Sequence, residues 1–253
     1  MTLDSSLYRD FYYPLNIFMH LLTHEEGRVD YLHYGLFESG NESIGAAQQR
    51  STALLLDRLP PPPARILDVG IGLATTLNEL VRRGYQAEGI TPDEKQIAMV
   101  RSRHGDALPV HLSRFETFES EHRFDTVMFQ ESSQYIGSEA LFTRAADLAP
   151  RVVVLDEFAL EPLDDATALH SLDGFLSAAA ANGFRLAEKL DLSAQAAPTV
   201  RYFMQRIPRY RDRLIDDLGI TGSQVDELLV SGETYLDRYR DGIYGYFLLD
   251  LQR

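Results

Sequence analysis

Between residues 65 and 155 the chain alternates between two hydrophobic patterns. Short, nearly continuous apolar runs at Arg65–Val69, Tyr85–Ile90, Pro109–Leu112, Phe124–Phe129 and Arg151–Leu155 read as buried strands. After the first of them, Leu73, Leu77, Leu80 and Val81 recur at helical spacing until Gly84 stops the helix. Thr91-Pro92-Asp93-Glu94 predicts another helix start, with Thr91 as N-cap and Pro92 at the first helical position. Ser138–Leu148 predicts a further helix. Strand–helix alternation with unbroken apolar strands predicts a parallel, doubly wound sheet covered on both faces. Beyond it the pattern predicts a helix over Ala166–Ala181, a sixth strand at Phe184–Leu190 and a seventh at Tyr244–Leu251. The Arg- and Asp-rich residues from about 200 to 240, between those two strands, read as helical.

Upstream, Phe11, Leu15, Phe18, Leu21 and Leu22 form one apolar helical stripe that Pro14 interrupts. A second helix is expected over Ser43–Leu59, with Leu54, Leu55 and Leu59 facing inward. Pro60, Pro61, Pro62 and Pro63 end it in a stiff spacer that no helix crosses. The expected organisation is a helical segment over residues 1–59 and an α/β domain over 64–253 with a helical insertion at about 196–240, the whole forming one structural domain.

Composition narrows the chemistry. The 253 residues include no Cys, which excludes a disulfide scaffold, a thiolate metal site and a Cys nucleophile. A formal charge of −14 makes duplex nucleic acid an unfavourable partner, because such a surface gains nothing from counterion release. No apolar run is long enough to span a bilayer, and the acidic opening MTLDSSLYRD lacks a signal-peptide layout, so a cytoplasmic location is expected. A neutral or cationic small molecule suits this field better.

The first strand runs into Asp68-Val-Gly70-Ile-Gly72-Leu-Ala74. Glycines there let the backbone turn sharply and approach a ligand at the start of the next helix. The dinucleotide pattern G-x-G-x-x-G fails, since its third position falls on Thr75, and no Gly-Lys-Ser/Thr phosphate loop is present. The ligand should carry little phosphate and should offer a group an acid can hold, such as an ammonium.

This turn resembles motif I, D/E-x-G-x-G-x-G, of the class I S-adenosylmethionine-dependent methyltransferases, with Ala74 in place of the third Gly. The resemblance covers residues 65 to 155 and implies a Rossmann-like seven-stranded sheet and S-adenosyl-L-methionine as cofactor, gripped by Asp68, Gly70 and Gly72. The end of strand two, Gly89-Ile90-Thr91-Pro92-Asp93-Glu94-Lys95-Gln96, is similar to the cyclopropane-fatty-acid synthases and related small-molecule methyltransferases. That likeness implies cofactor contacts from Thr91 and Gln96, with Glu88 and Asp93 as fallback ribose ligands. A helix cap at Thr91 and a solvated Gln96 are the plainer alternatives. It also implies that Phe115 and Glu116 line the adenine pocket, where Phe115 could equally be plain core.

Strand four ends in Gln130-Glu131-Ser132-Ser133-Gln134-Tyr135, and in open α/β sheets the carboxyl ends of the strands face the ligand. Glu131 is therefore the first candidate for a catalytic or orienting acid, against a loop-fixing carboxylate, with Ser132, Gln134 and Tyr135 as substrate contacts. The segment Tyr31-Leu-His33-Tyr34-Gly35 resembles the aromatic lid of the same subgroup, making Tyr34 a cofactor contact and His33 a second candidate base or a structural imidazole. The insertion at about 196–240 is expected to join it in roofing the site. His20 and His24 stand four apart on a helix, next to Glu25, but no H-E-x-x-H and no third ligand are visible, so no metal site is expected. The implied function is methyl transfer to O, N or C of a small metabolite. Its rivals are a cofactor-binding protein that catalyses another reaction and a binding module.

Overall fold

The computed structural model describes residues 8–9, 11–40, 42–162 and 169–253. Seven strands form one sheet: β1 Arg65–Val69, β2 Gln86–Thr91, β3 Val110–Leu112, β4 Thr126–Gln130, β5 Arg151–Ala159, β6 Arg185–Asp191 and β7 Tyr244–Gln252. Their spatial order is β3-β2-β1-β4-β5-β7-β6. Every central strand is buried on both faces, which is why β1, β4 and β5 read as unbroken apolar runs. Phe129, Phe142, Phe158, Phe175 and Phe184 fill the core on one side of the sheet.

The sheet is mixed rather than wholly parallel. β7 runs antiparallel to both β5 and β6 and lies between them, with Glu157 opposite Tyr246 and Ala159 opposite Tyr244. Apolar continuity marks a strand as central but carries no direction, so the antiparallel member was invisible in the pattern. β6, at the edge, leaves most of its residues exposed.

Nine helices are described: α1 Leu15–Glu26, α2 Ile44–Leu56, α3 Thr75–Arg82, α4 Glu94–His104, α5 Ser138–Leu148, α6 Leu172–Ala181, α7 Ser193–Ala196, α8 Pro198–Leu218 and α9 Gly222–Arg240. Pro14 precedes α1 rather than breaking it. Helix α2 ends at Leu56 rather than Leu59; Leu55 within it and Leu59 beyond it are buried as expected, while Leu54 is only half-buried.

Among the boundaries that differ from expectation, two are set by helix caps. The cap of α4 is Asp93, whose carboxylate accepts from the Lys95 amide, and Pro92 lies outside the helix. Thr91 cannot be the cap because it is the last residue of β2, its carbonyl already accepting from Ser113. Helix α6 starts at Leu172, capped by the Ser171 hydroxyl, not at Ala166; residues 166–168 lie outside the described residues.

The chain divides into two compact units. One comprises Thr52–Ser193 and Ile243–Arg253 and contains the whole sheet. The other joins the described residues up to Ser51 with Ala194–Gly242. Within this second unit Phe18 of α1 packs on Phe203 of α8 with ring centroids 4.4 Å apart. The Gly35 amide donates to the Thr199 hydroxyl at 3.0 Å. On α9, Gly232 admits the Met204 side chain of α8 where a Cβ would sit 1.9 Å from its sulfur.

Candidate functional site

Strand order reverses between β1 and β4, since β2 and β3 lie to one side and β5 to the other. Such a switch point opens a crevice at the carboxyl ends of those two strands. Asp68 and the glycine turn stand at the end of β1, and Glu131 follows directly on β4.

The turn needs its glycines. Gly70 has φ +80° and Gly72 φ +51°, a region that side chains disfavour. A Cβ on Gly70 would lie 2.4 Å from the Ser132 Cβ, closer than atoms can pack. Ala74 adopts φ +57° at the position before α3, so the one departure from the glycine motif carries a strained backbone. No side chain caps α3.

Asp68 is 3% exposed, and burial alone pushes its carboxyl up to about 7. No cation or donor side chain among the described residues offsets that desolvation. A buried acid in this state lacks the partner its charge requires.

At the end of β2, Thr91 is 1% exposed and its hydroxyl donates to the Gln96 side-chain oxygen at 2.8 Å. The Thr91 hydroxyl oxygen in turn accepts from the Asp93 amide at 3.2 Å. Thr91 and Gln96 are thus brought together. Glu88 instead pairs with His111 at 3.1 Å. Phe115 is buried in the core, edge-on to Phe129 at 5.2 Å, and Glu116 beside it is exposed.

After β4 the loop is held from three directions. The Glu131 amide donates to the Leu155 carbonyl at 2.9 Å, and the residue takes φ +55°, uncommon for any side chain but glycine. Its carboxylate accepts from the Tyr246 hydroxyl of β7 at 2.7 Å. Ser132 spends its hydroxyl on the Val69 carbonyl, pinning the loop to β1. Ser133 donates through both its amide (2.9 Å) and its hydroxyl (2.7 Å) to Asp156, a fully buried acid whose carboxyl burial raises to about 6 against these donors. Gln134 is half-buried and Tyr135 is 74% exposed. Gln130 accepts from Thr76 at 2.9 Å and donates to Thr52 at 3.2 Å, so β4, α3 and α2 share one amide.

Tyr246, Asp156 and Gln130 escaped sequence reasoning. Their roles arise from pairings 115, 23 and 78 residues apart, which no local pattern encodes.

His33 and Tyr34 belong to the other unit, between α1 and α2. His33 is buried, its Nδ1 2.9 Å from the Tyr34 carbonyl oxygen, and burial lowers its pKa to about 4. At neutral pH this imidazole is uncharged and weakly basic.

No family model matches the chain, and no curated protein matches it. Solved structures do. A mycolic acid cyclopropane synthase, CmaA1, crystallised with SAH and CTAB, superposes with a TM-score of 0.80 at 16% identity over 100% of this chain and 99% of that one. A putative sarcosine dimethylglycine methyltransferase from Galdieria sulphuraria gives 0.80 at 15% identity, over 94% and 97%. The [4+2]-cyclase SpnF gives 0.78 at 20% identity, over 92% of each chain. The chain therefore has the fold of the class I S-adenosylmethionine-dependent methyltransferases and resembles the cyclopropane synthases among them.

Proposed function

We propose that this protein binds S-adenosyl-L-methionine and transfers its methyl group to a small molecule. The observation that carries the reading is Asp68, a buried carboxyl without a cationic partner, beside a turn that cannot accept a Cβ at Gly70. A ligand bringing an ammonium and lying close against backbone supplies what that arrangement lacks. The neighbouring fold, found in structures crystallised with SAH or SAM, supports the same ligand.

When bound, the cofactor supplies an electrophilic methyl on a sulfonium. Asp68 holds the cationic end, and Gly70 and Gly72 admit it against the backbone. Thr91 and Gln96 would offer a hydroxyl and an amide to the cofactor's polar groups, and on the family likeness Phe115 and Glu116 would line the adenine pocket. For Tyr34, the likeness of its segment to the aromatic lid is the one support for a cofactor contact. Gln134 and Tyr135 offer a polar and aromatic surface to the substrate, and Ser132, its hydroxyl proton given to the Val69 carbonyl, would contact it only as an acceptor. Glu131, held by Tyr246, accepts a proton from the attacking group or fixes its lone pair along the methyl–sulfur axis; His33 is the second candidate. Alignment and exclusion of water contribute most in such a displacement, and a positioned base adds roughly a hundredfold to ten-thousandfold.

Calorimetry with S-adenosylmethionine and with its demethylated product tests the cofactor. Mass spectrometry with the methyl-labelled cofactor and candidate metabolites tests transfer. Saturable binding and a labelled product are expected, and absence of binding to the wild-type chain overturns the reading. A second reading has one specific support, the likeness to a [4+2]-cyclase. On that reading the cofactor binds, a substrate is converted and no label moves.

A further inference from the structure

Helix α1 carries His20 and His24 one turn apart, and their ring centroids are 4.4 Å from each other. A third donor comes from α8, 197 residues further along, where the Asp217 Oδ2 lies 2.8 Å from the His20 Nε2. One donor atom from each of the three falls within 4.8 Å of the others. All three residues belong to the same unit. We infer that His20, His24 and Asp217 form a binding site for a divalent transition-metal ion of the zinc class, joining α1 to α8.

The donor chemistry selects the ion. Two imidazoles and a carboxylate suit zinc, cobalt, nickel or copper, whereas magnesium and calcium prefer sites built of oxygen alone. Around a tetrahedral ion with bonds of about 2.0–2.1 Å, donor atoms stand roughly 3.3 Å apart. His24 and Asp217 are both exposed, which leaves their side chains room to turn toward a shared ion. Three protein donors leave a fourth position for water.

The surroundings decide between this triad and the other groups nearby. Glu25, adjacent in sequence, is already engaged by Arg206 at 3.0 Å and by the Tyr210 hydroxyl at 2.9 Å. Tyr210 also stacks on the His24 ring at 5.7 Å, orienting it. His20 is fully buried, with Tyr8 edge-on at 5.8 Å. Its Nδ1 has no hydrogen-bond partner, so no other contact dictates which ring nitrogen carries the proton. In the metal-free protein Nε2 bears the proton and donates to Asp217. On binding, the ion takes the Nε2 lone pair, the same proton resides on Nδ1, and the ring stays neutral. Asp217 is ionised throughout, because the His20 hydrogen bond holds its carboxyl below the usual range.

Two features limit the strength. Arg213 lies within electrostatic reach of both His20 and Asp217 and opposes a cation. Without an acceptor at Nδ1 the site lacks the outer contact that typically contributes ten- to a hundredfold in affinity. Binding is therefore expected in the micromolar range, short of that of a closed structural zinc centre.

The test uses the full chain stripped of metal by chelation and titrated with zinc chloride in a calorimeter above neutral pH. Cobalt serves as the spectroscopic probe. Wild type is expected to take one ion saturably and to melt at a higher temperature with zinc. His24→Ala and Asp217→Asn, both at exposed positions, should each weaken binding by at least about tenfold and abolish the thermal shift. Cobalt should give the intense visible bands of a four-coordinate site in wild type alone. Failure of the wild type to bind saturably overturns the inference. So does equal affinity in wild type and both variants, which would place the ion at other histidines. None of these readouts depends on methyl transfer.

Discussion

The Tyr246 hydroxyl donates to the Glu131 carboxylate at 2.7 Å, joining the strand that runs against the sheet to the loop that leaves β4. Tyr246 is itself held in place: it is fully buried, its amide donates to the Ser193 hydroxyl, and its carbonyl accepts from the Leu192 amide. Glu131 thus stands in a strained backbone conformation with its carboxylate aimed by a fixed phenol.

Tyr246→Phe keeps the ring and removes that donor. Methyl transfer should fall at least about tenfold, as expected when a base loses its alignment. Stability should fall by about 1 kcal/mol, the usual net worth of one hydrogen bond. Cofactor affinity by calorimetry should stay at the wild-type value. Unchanged turnover would remove Glu131 from the chemistry.

Replacing Glu131 separates strain from function. At φ +55° glycine is favoured over other residues by about 1 kcal/mol. That offsets part of the cost, about 1–3 kcal/mol, of taking this acceptor from the buried Tyr246 hydroxyl, so Glu131→Gly should lose at most about 2 kcal/mol. It should nonetheless lose turnover. A marked drop in melting temperature would identify Glu131 as a structural clamp.

Ala74 provides the same test without chemistry. It is fully buried at φ +57°, where the resembling motif has glycine. Ala74→Gly should stabilise the protein by about 0.5–1 kcal/mol in chemical denaturation, with cofactor binding retained.

Asp68 sets a pH dependence of definite sign. Its carboxyl is raised from 3.8 to about 7, so folding favours the protonated form. The stability this contributes is complete below the ordinary carboxylate range and is lost as pH rises through about 7. Above that pH the ionised, unpartnered group costs roughly 4 kcal/mol if the whole displacement is realised. Asp68→Asn avoids the charge but buries an amide without a partner, which returns about 1–3 kcal/mol. The cofactor-free variant should therefore melt higher than wild type above neutral pH and lower, or equal to it, in acid. It should also lose the cofactor. In the wild type, cofactor affinity should weaken as pH falls below about 7, and binding near neutrality should release protons, read as a binding enthalpy that changes with the buffer.

Much of this was legible because it is local. β1 and α5 have the bounds their patterns predict, since each apolar run is flanked by turn residues. The acid–glycine turn announces its strain in its composition. Thr91 misled because a hydroxyl before Pro resembles a cap, whereas hydrogen bonding to β3 keeps it in the strand. The partners Tyr246 for Glu131 and Asp217 for His20 are 115 and 197 residues away in the chain. Only the assembled topology brings them together.

That topology also makes one strand the link between two others. β6 precedes β7 in the chain yet can join the sheet only through it, because β7 fills the place between β5 and β6. A chain synthesised as far as β6 has an open hydrogen-bonding edge on β5 and a Glu131 with no phenol to hold it. Residues 244–252 cover that edge, pair with β6 and supply Tyr246. The Glu131 carboxylate consequently meets its phenol only where β7 is in place, and a chain lacking residues 244–252 would carry the rest of the proposed site without that contact.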